Sequence, residues 1–400
     1  MTGAADATPL VILAASARAL AECLRRAGLP GEGRPLLAVD AFGDDDLMAA
    51  VDGWRHIALG ELSQPARVHA VLGAFPGAEV LIGGGFDGAF DVLRTLAADH
   101  RLLNAPPDTW RAARDPLLFA RLGIEAPDTR SQPPADRRGW LCKRRDGSAG
   151  LGVRRGLDVP ARDLAEGDAG FYWQRRIVGT PVSLLFCVHA GGTVGIGINR
   201  QWCSPAPGLP FCFGGIASGF DAGASASAAL VDMAQRISVA TGLRGLCSLD
   251  AVIDRQGRVH ALEVNPRPTA SVELYDRESP GLMALHRAAV LGHPLPPWAP
   301  APVSRALALV RAPVGVRAGR PPRGCSDWRD GAVVDAGDPL CTVHAEAVDA
   351  QAAMHRARCA AASLRRRLRR DVAGSTPDGG TFLTIATIPN PDQISRREHA

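Results

Sequence analysis

Leu246-Cys247-Ser248-Leu249-Asp250-Ala251-Val252-Ile253-Asp254, Arg255-Gln256-Gly257-Arg258, Val259-His260-Ala261-Leu262-Glu263-Val264-Asn265-Pro266-Arg267 reads as two apolar strands around a polar turn. Apolar runs bounded by a glycine-containing turn signal a hairpin. Folding it about Gln256-Gly257 pairs 254 with 259 and 250 with 263. Side chains alternate along a strand, so Glu263 and Asn265 share a face, with Asp250 directly across from Glu263. Leu249, Ala251, Ile253, Leu262 and Val264 take the other face. Like charges opposed across a sheet destabilise it, and each carboxylate raises the other's pKa. Either this is a polar sheet face meeting solvent, or a divalent cation neutralises the pair. Asp, Glu and an Asn carbonyl are hard oxygen donors. They suit a Mg²⁺ ion that keeps waters and bridges phosphates.

A second segment favours the cation. Lys143 is the only lysine, beside 44 arginines. It ends the apolar run Trp140-Leu141-Cys142 and precedes Asp146-Gly147-Ser148-Ala149-Gly150-Leu151-Gly152. A chain that uses arginine for almost every positive charge keeps lysine where a compact ammonium on a slim stem is needed. Alone, the lysine could be a survivor of arginine bias. Beside a glycine-rich loop, it points to a phosphate group.

Composition narrows the class. Four hundred residues suggest two or three domains of roughly 100–200 residues. A hydrophobic content of 46% supplies a sizeable core. A net charge of +4 without aromatic-basic interleaving argues against a dedicated nucleic-acid binder. Nine cysteines without a CxxC read as reduced apolar residues of a cytoplasmic protein. The histidines lack zinc spacing. The apolar run Leu10–Ala15 is too short for a signal peptide or a membrane span.

Residues 9–15, Leu36–Asp40, His56–Leu59 and Val80–Ile82 read as strands, with helices at 17–28 and 89–99. This alternation implies a parallel α/β sheet. Gly83-Gly84-Gly85-Phe86-Asp87-Gly88 formally satisfies GxGxxG. It follows a late strand and lacks the acidic residue at the end of a second strand, so it reads as a tight turn lining a cleft rather than a dinucleotide site. The expected division is 1–105 (α/β domain), 106–137 (linker helix), 138–187 (small antiparallel module), 188–300 (mixed, with the hairpin), 301–370 (small β element and helix) and 371–400 (loosely ordered tail). The arginines at 365–370 read as a solvated basic helix end.

Three pieces together resemble the ATP-grasp superfamily: the lysine and loop at 143–152, the segment Gln174–Ser183, and Gly242–Asp250 with Glu263, Asn265 and Arg267. The resemblance spans roughly residues 9–300. It implies an α/β chain: an N-terminal Rossmann-like parallel domain, a small α+β lid, and a palm. ATP would be clamped between lid and palm. Lys143 would hold phosphates under a loop of Gly147, Ser148, Ala149 and Gly150. Gln174, Arg175, Arg176 and Ile177 would meet adenine through their backbone, and Asp250, Glu263 and Asn265 would hold Mg²⁺ or Mn²⁺. Arg267, and less directly Arg200, would stabilise charge during phosphoryl transfer to a carboxylate.

There are departures. Arg114-Asp115-Pro116 stands where many members carry another phosphate-binding lysine, leaving Arg114 or Arg111 to supply that charge. Arg175 replaces a frequent glutamate, and Ser248 a frequent arginine. A narrower likeness, through Ile82–Gly85, Leu102–Pro107, Arg114–Pro116 and Asp338–Val343, is to ligases of one-carbon cofactor synthesis. That group includes the tyramine–glutamate ligases of methanofuran synthesis.

The expectation is therefore an ATP- and Mg²⁺-dependent carboxylate–amine ligase. Its expected partners are small-molecule carboxylate and amine substrates, with no nucleic acid or membrane, and a homodimer is the candidate assembly. The alternatives are a carboxylase-type ligase using carboxyphosphate and a non-catalytic nucleotide-binding subunit.

Overall fold

A computed structural model describes residues 8–29, 31, 33–160, 170–276, 281–299 and 302–373. The stretch from 374 onward, most of the expected tail, lies outside them.

Leu10–Leu13 (β1) is four apolar residues buried in succession, as expected of a strand covered on both faces. It pairs in parallel with Leu36–Asp40 (β2) and Glu79–Ile82 (β4). Gly53–His56 (β3) and Arg101–Leu102 (β5) complete a five-stranded sheet of order β3-β2-β1-β4-β5. The expected strand at His56–Leu59 lies earlier, at Gly53–His56, and Leu59–Glu61 is a 3₁₀ turn. Strand order reverses between β1 and β4, so the loops leaving these two strands flank the crevice where ligands of such sheets bind. The Gly83–Gly85 turn sits there. The Ala15 N–H donates to Gly84 O at 2.8 Å. A Cβ at Gly83 would meet Leu20 and Ala14 at 2.8 and 2.9 Å, and Gly85 has φ +103°. Close packing and backbone conformation account for these glycines.

The lid is a four-stranded antiparallel sheet of order β6-β9-β7-β8: Thr129–Arg130 (β6), Trp140–Arg144 (β7), Val153–Arg155 (β8) and Phe171–Arg175 (β9). It therefore starts before the expected boundary at 138. It also ends before Gly179–His189 (β10), which is a central strand of the palm. The palm sheet has order β14-β13-β10-β11-β12-β15-β19-β17. Its further strands are Gly192–Cys203 (β11), Phe213–Ala217 (β12), Gly245–Asp254 (β13), Val259–Asn265 (β14), Ser304–Arg311 (β15), Cys325–Ser326 (β17) and Pro339–Ala347 (β19). Val316–Arg317 (β16) and Val333–Val334 (β18) form a separate pair. The expected separate C-terminal β element is thus mostly palm, because β15 and β19 extend the same sheet.

Alternation along β10 gives the palm two apolar faces. Val182, Leu184 and Phe186 pack with Leu249, Val264 and the helix Ala224–Thr241. Leu185 and Cys187 pack with Leu246, the helix Leu282–Leu291 and the N-terminal domain. The palm is therefore held directly against the parallel sheet, with the hairpin at their junction. Among the described residues, no helix is long and apolar enough to cross a membrane.

Candidate active site

The hairpin forms, and Asp250 does pair with Glu263. Its register differs from the expected one near the turn, where Ile253 rather than Asp254 faces Val259. A bulge at Leu262 absorbs the one-residue difference: Ala251 pairs with Ala261, then Asp250 with Glu263. An extra residue on one strand shifts everything beyond it. Without the bulge the acidic pair would be out of register.

The pair lies on the face turned toward the N-terminal domain, and its electrostatics are lopsided. Burial, then Glu263, push the Asp250 carboxyl up to about 7. Burial also opposes ionisation of Glu263, but Lys143 and Arg114 outweigh it and hold Glu263 below the usual carboxylate range. Two half-buried carboxylates side by side cannot both ionise cheaply, and Asp250 is the one that holds a proton more readily. Asp250 also accepts from Gln201 Nε2 at 3.1 Å and from Asn265 Nδ2 at 3.1 Å. Asn265 Nδ2 reaches Ser248 Oγ at 3.3 Å, which gives the departure at 248 a local role.

Lys143 reaches this pair from the lid. Its Nζ lies 3.8 Å from Glu263 Oε2, donates to Gln174 Oε1 at 3.3 Å, and sits 5.5 Å above the Tyr172 ring. Burial disfavours its charge, yet Tyr172 and Glu263 outweigh burial and raise its pKa. Gln174 also points its Nε2 at Thr129 Oγ1 and Leu262 O, at 3.4 and 3.5 Å. Its side chain therefore orients the lysine, a role beyond the expected backbone contact. The N–H groups of Arg175 and Arg176 are donated to Asp128 O and Gly139 O.

Of the two arginines proposed to replace the missing lysine, Arg114 is the one at the site. Its Nη1 lies 3.7 Å from Glu263 Oε2 and donates to Val264 O at 3.2 Å, and its Nη2 donates to Gly147 O at 3.2 Å. Arg111 instead stacks on Phe90. The loop Gly147–Gly150 is held over the site. Ala149 has φ 52° and Gly150 φ 72°, and the Phe213 N–H donates to Ala149 O at 2.9 Å. Left-handed backbone at an alanine is strained, and such strain concentrates at binding loops.

Arg267 is buried and bound side-on by Asp87 of the glycine turn: Nε to Oδ1 at 3.0 Å and Nη2 to Oδ2 at 2.8 Å. Burial opposes the Asp87 charge, but Arg267 and then Arg114 outweigh it and hold the pKa down. Asp87 escaped the sequence reading because it sat inside a motif read as a turn. Arg200 is not brought to the site. It pairs with Val182, on the helix-covered face, and lies over Phe220. Strand alternation sends its neighbour Gln201 to Asp250 instead.

Five charged groups thus alternate in sign: Lys143, Glu263, Arg114, Asp87 and Arg267. They come from lid, palm, linker, N-terminal domain and palm. A narrow crevice beside them is lined by Asp115, Pro116, Arg145, Tyr172 and Leu262. Residues 117–271 match the family model described as ATP-grasp domain. The chain carries an ATP-grasp domain.

Solved structures share the wider ATP-grasp architecture. Biotin carboxylase from Campylobacter jejuni, in a β,γ-ATP complex, superposes with TM-score 0.63 at 14% identity, over 86% of this chain and 89% of that one. Carboxyaminoimidazole ribonucleotide synthase from Aspergillus clavatus, complexed with ATP, gives 0.65 at 10% identity, over 90% and 100%. L-amino acid ligase from Bacillus licheniformis gives 0.61 at 13% identity, over 90% and 97%. At these identities the likeness is one of fold. No curated protein matches the chain.

Proposed function

We propose that this protein is an ATP- and Mg²⁺-dependent ligase that activates a carboxylate as an acyl phosphate and joins it to an amine, with release of ADP and phosphate. The observation that carries the reading is the convergence of Lys143 and the Asp250–Glu263 pair across the cleft of an ATP-grasp domain. Phosphoryl transfer depends on positioning and charge neutralisation, and this site concentrates both.

The acidic pair fits a divalent cation on its chemistry. Burial, and then Glu263, make the charged form of Asp250 costly, and a divalent cation would offset both costs. Asp250, Glu263 and Asn265 would hold Mg²⁺, and Mn²⁺ suits the same oxygen donors. When bound, the ion supplies Lewis-acid charge neutralisation to phosphate oxygens. Lys143 binds phosphate as a compact cation held by Gln174. Arg114 ties the loop carbonyl at Gly147 to the palm, and the loop excludes water. Arg267 offers N–H donors to the group that carries charge during transfer. A glutamate ligation in one-carbon cofactor synthesis is the substrate reading we favour. It rests on the narrower likeness through Ile82–Gly85 and Arg114–Pro116.

The test is release of ADP and phosphate from MgATP with a panel of amino acids and amines. Release with particular carboxylate–amine pairs supports the ligase. Release that requires bicarbonate makes it a carboxylase. Binding of ATP without turnover across the panel makes it a nucleotide-binding subunit.

A further inference from the structure

Asp87 is 1% exposed and stands between Arg114 and Arg267 in the alternating charge row. Its two oxygens grip Nε and Nη2 of Arg267, the side edge of the guanidinium. A guanidinium has five N–H donors in a rigid fork. Two are taken by Asp87, so those on Nη1 and the second on Nη2 remain at the end of the fork. Nη1 runs beside Gly84, where a Cβ would stand 3.6 Å from it, an ordinary packing distance. Arg114 and the Ser148 hydroxyl of the lid loop also favour the charged form of Asp87. The adjoining Gly88 touches the lid: a Cβ there would lie 2.6 Å from the Asp146 Cα.

We propose that Asp87 is a positioning residue. It holds Arg267 edge-on, so that the free end of the fork meets the terminal phosphoryl group of ATP. It does so when the lid loop is seated, because Gly88, next to Asp87, packs against Asp146 of that loop. This deepens the ligase reading and rests on it. The order of the row supports the assignment. Lys143 stands at one end and Arg267 at the other, so a polyphosphate held at its inner part by Lys143 extends toward Arg267.

The test compares MgATP and MgADP affinities, measured by calorimetry, for wild type and Asp87→Asn. Only ATP carries the terminal phosphoryl group. We expect Asp87→Asn to weaken MgATP binding at least tenfold and MgADP binding less than threefold. Ser148→Ala should reduce the same ATP-over-ADP preference by a smaller factor, and add little to Asp87→Asn. Should Asp87→Asn fail to fold, Asp87→Glu keeps the charge. With Gly88 already against Asp146, a longer side chain cannot grip Nε and Nη2 in the same way, so the preference falls again. A folded Asp87 variant with an unchanged preference overturns the proposal, and so does equal loss for both nucleotides, which marks a merely structural ion pair. A wild-type protein that binds neither nucleotide overturns the ligase reading itself, which separates the two failures.

Discussion

Replacing Lys143 tests the centre of the site. Its Nζ is 3.8 Å from Glu263 Oε2. Two unit charges at that distance attract by about 4 kcal/mol at an effective dielectric of about 20. Much of that is returned when Lys143 is removed, because burying the ammonium is itself costly. Glu263 also keeps Arg114 at 3.7 Å. Lys143→Met, which keeps most of the volume, should therefore cost only about 1 kcal/mol of fold stability, well below the roughly 3–5 kcal/mol for leaving a buried charge unpaired. Phosphate binding has no such reserve. Loss of one charge-stabilising donor costs about 3 kcal/mol, or roughly 150-fold, in turnover. Lys143→Arg adds a sharper test. The ammonium is packed between Gln174 Oε1 and the Tyr172 ring, and the residue is 8% exposed. The broad guanidinium does not fit there, so arginine should restore less than about a tenth of the activity despite keeping the charge. The assay is ADP release with the best substrate pair, alongside MgATP calorimetry and thermal unfolding. A folded Lys143→Met with turnover within threefold of wild type, or a fully active Lys143→Arg, would refute the reasoning.

Three further outcomes follow from particular contacts. Gly88→Ala should keep the N-terminal sheet folded yet open the lid, because the new methyl meets the Asp146 backbone; limited proteolysis should cut near residues 144–152 faster, and unchanged protection would count against the packing. Asp250, raised to about 7, favours the fold most at low pH, and that contribution is lost as pH rises from about 4 through 7. Added Mg²⁺ should therefore raise the melting temperature more at pH 8 than at pH 6, and Asp250→Asn should flatten this difference; a flat wild-type response contradicts the metal assignment. His286 is buried neutral, with Leu246 N–H donating to Nδ1 and Leu103 O at Nε2, and burial lowers its pKa to about 4. A depressed histidine favours the fold above the unfolded value near 6.5 and loses that as pH falls toward 4, by about 3 kcal/mol in all. Urea unfolding at pH 7 and 4.5 should show this loss in wild type and much less of it in His286→Gln.

Three strands of the parallel sheet, β1, β2 and β4, the hairpin, the lysine strand and its loop were legible because their signals are local. Apolar runs, alternation and glycine placement act over a few residues, and period-2 alternation put Glu263 and Asn265 on one face correctly. The pairing of Asp250 with Glu263 was reached through a turn register that was one residue out, and a bulge at Leu262 made it true. Bulges leave no dependable mark in a single sequence, because the backbone detour depends on what packs against it. The same limit explains Arg200. Its polar neighbourhood looked suitable, but only pairing with Val182 shows which way it faces.

By itself, the sequence determined which chemistry was available: one ammonium, a glycine loop, and hard oxygen donors spaced for a hairpin. Those are properties of residue type and short-range spacing. Only the tertiary structure decided who meets whom. It chose Arg114 over Arg111, turned Gln201 rather than Arg200 toward Asp250, and placed Asp87 between two arginines 180 residues apart from one of them. Charge interactions depend on distance and burial, and neither is written along the chain.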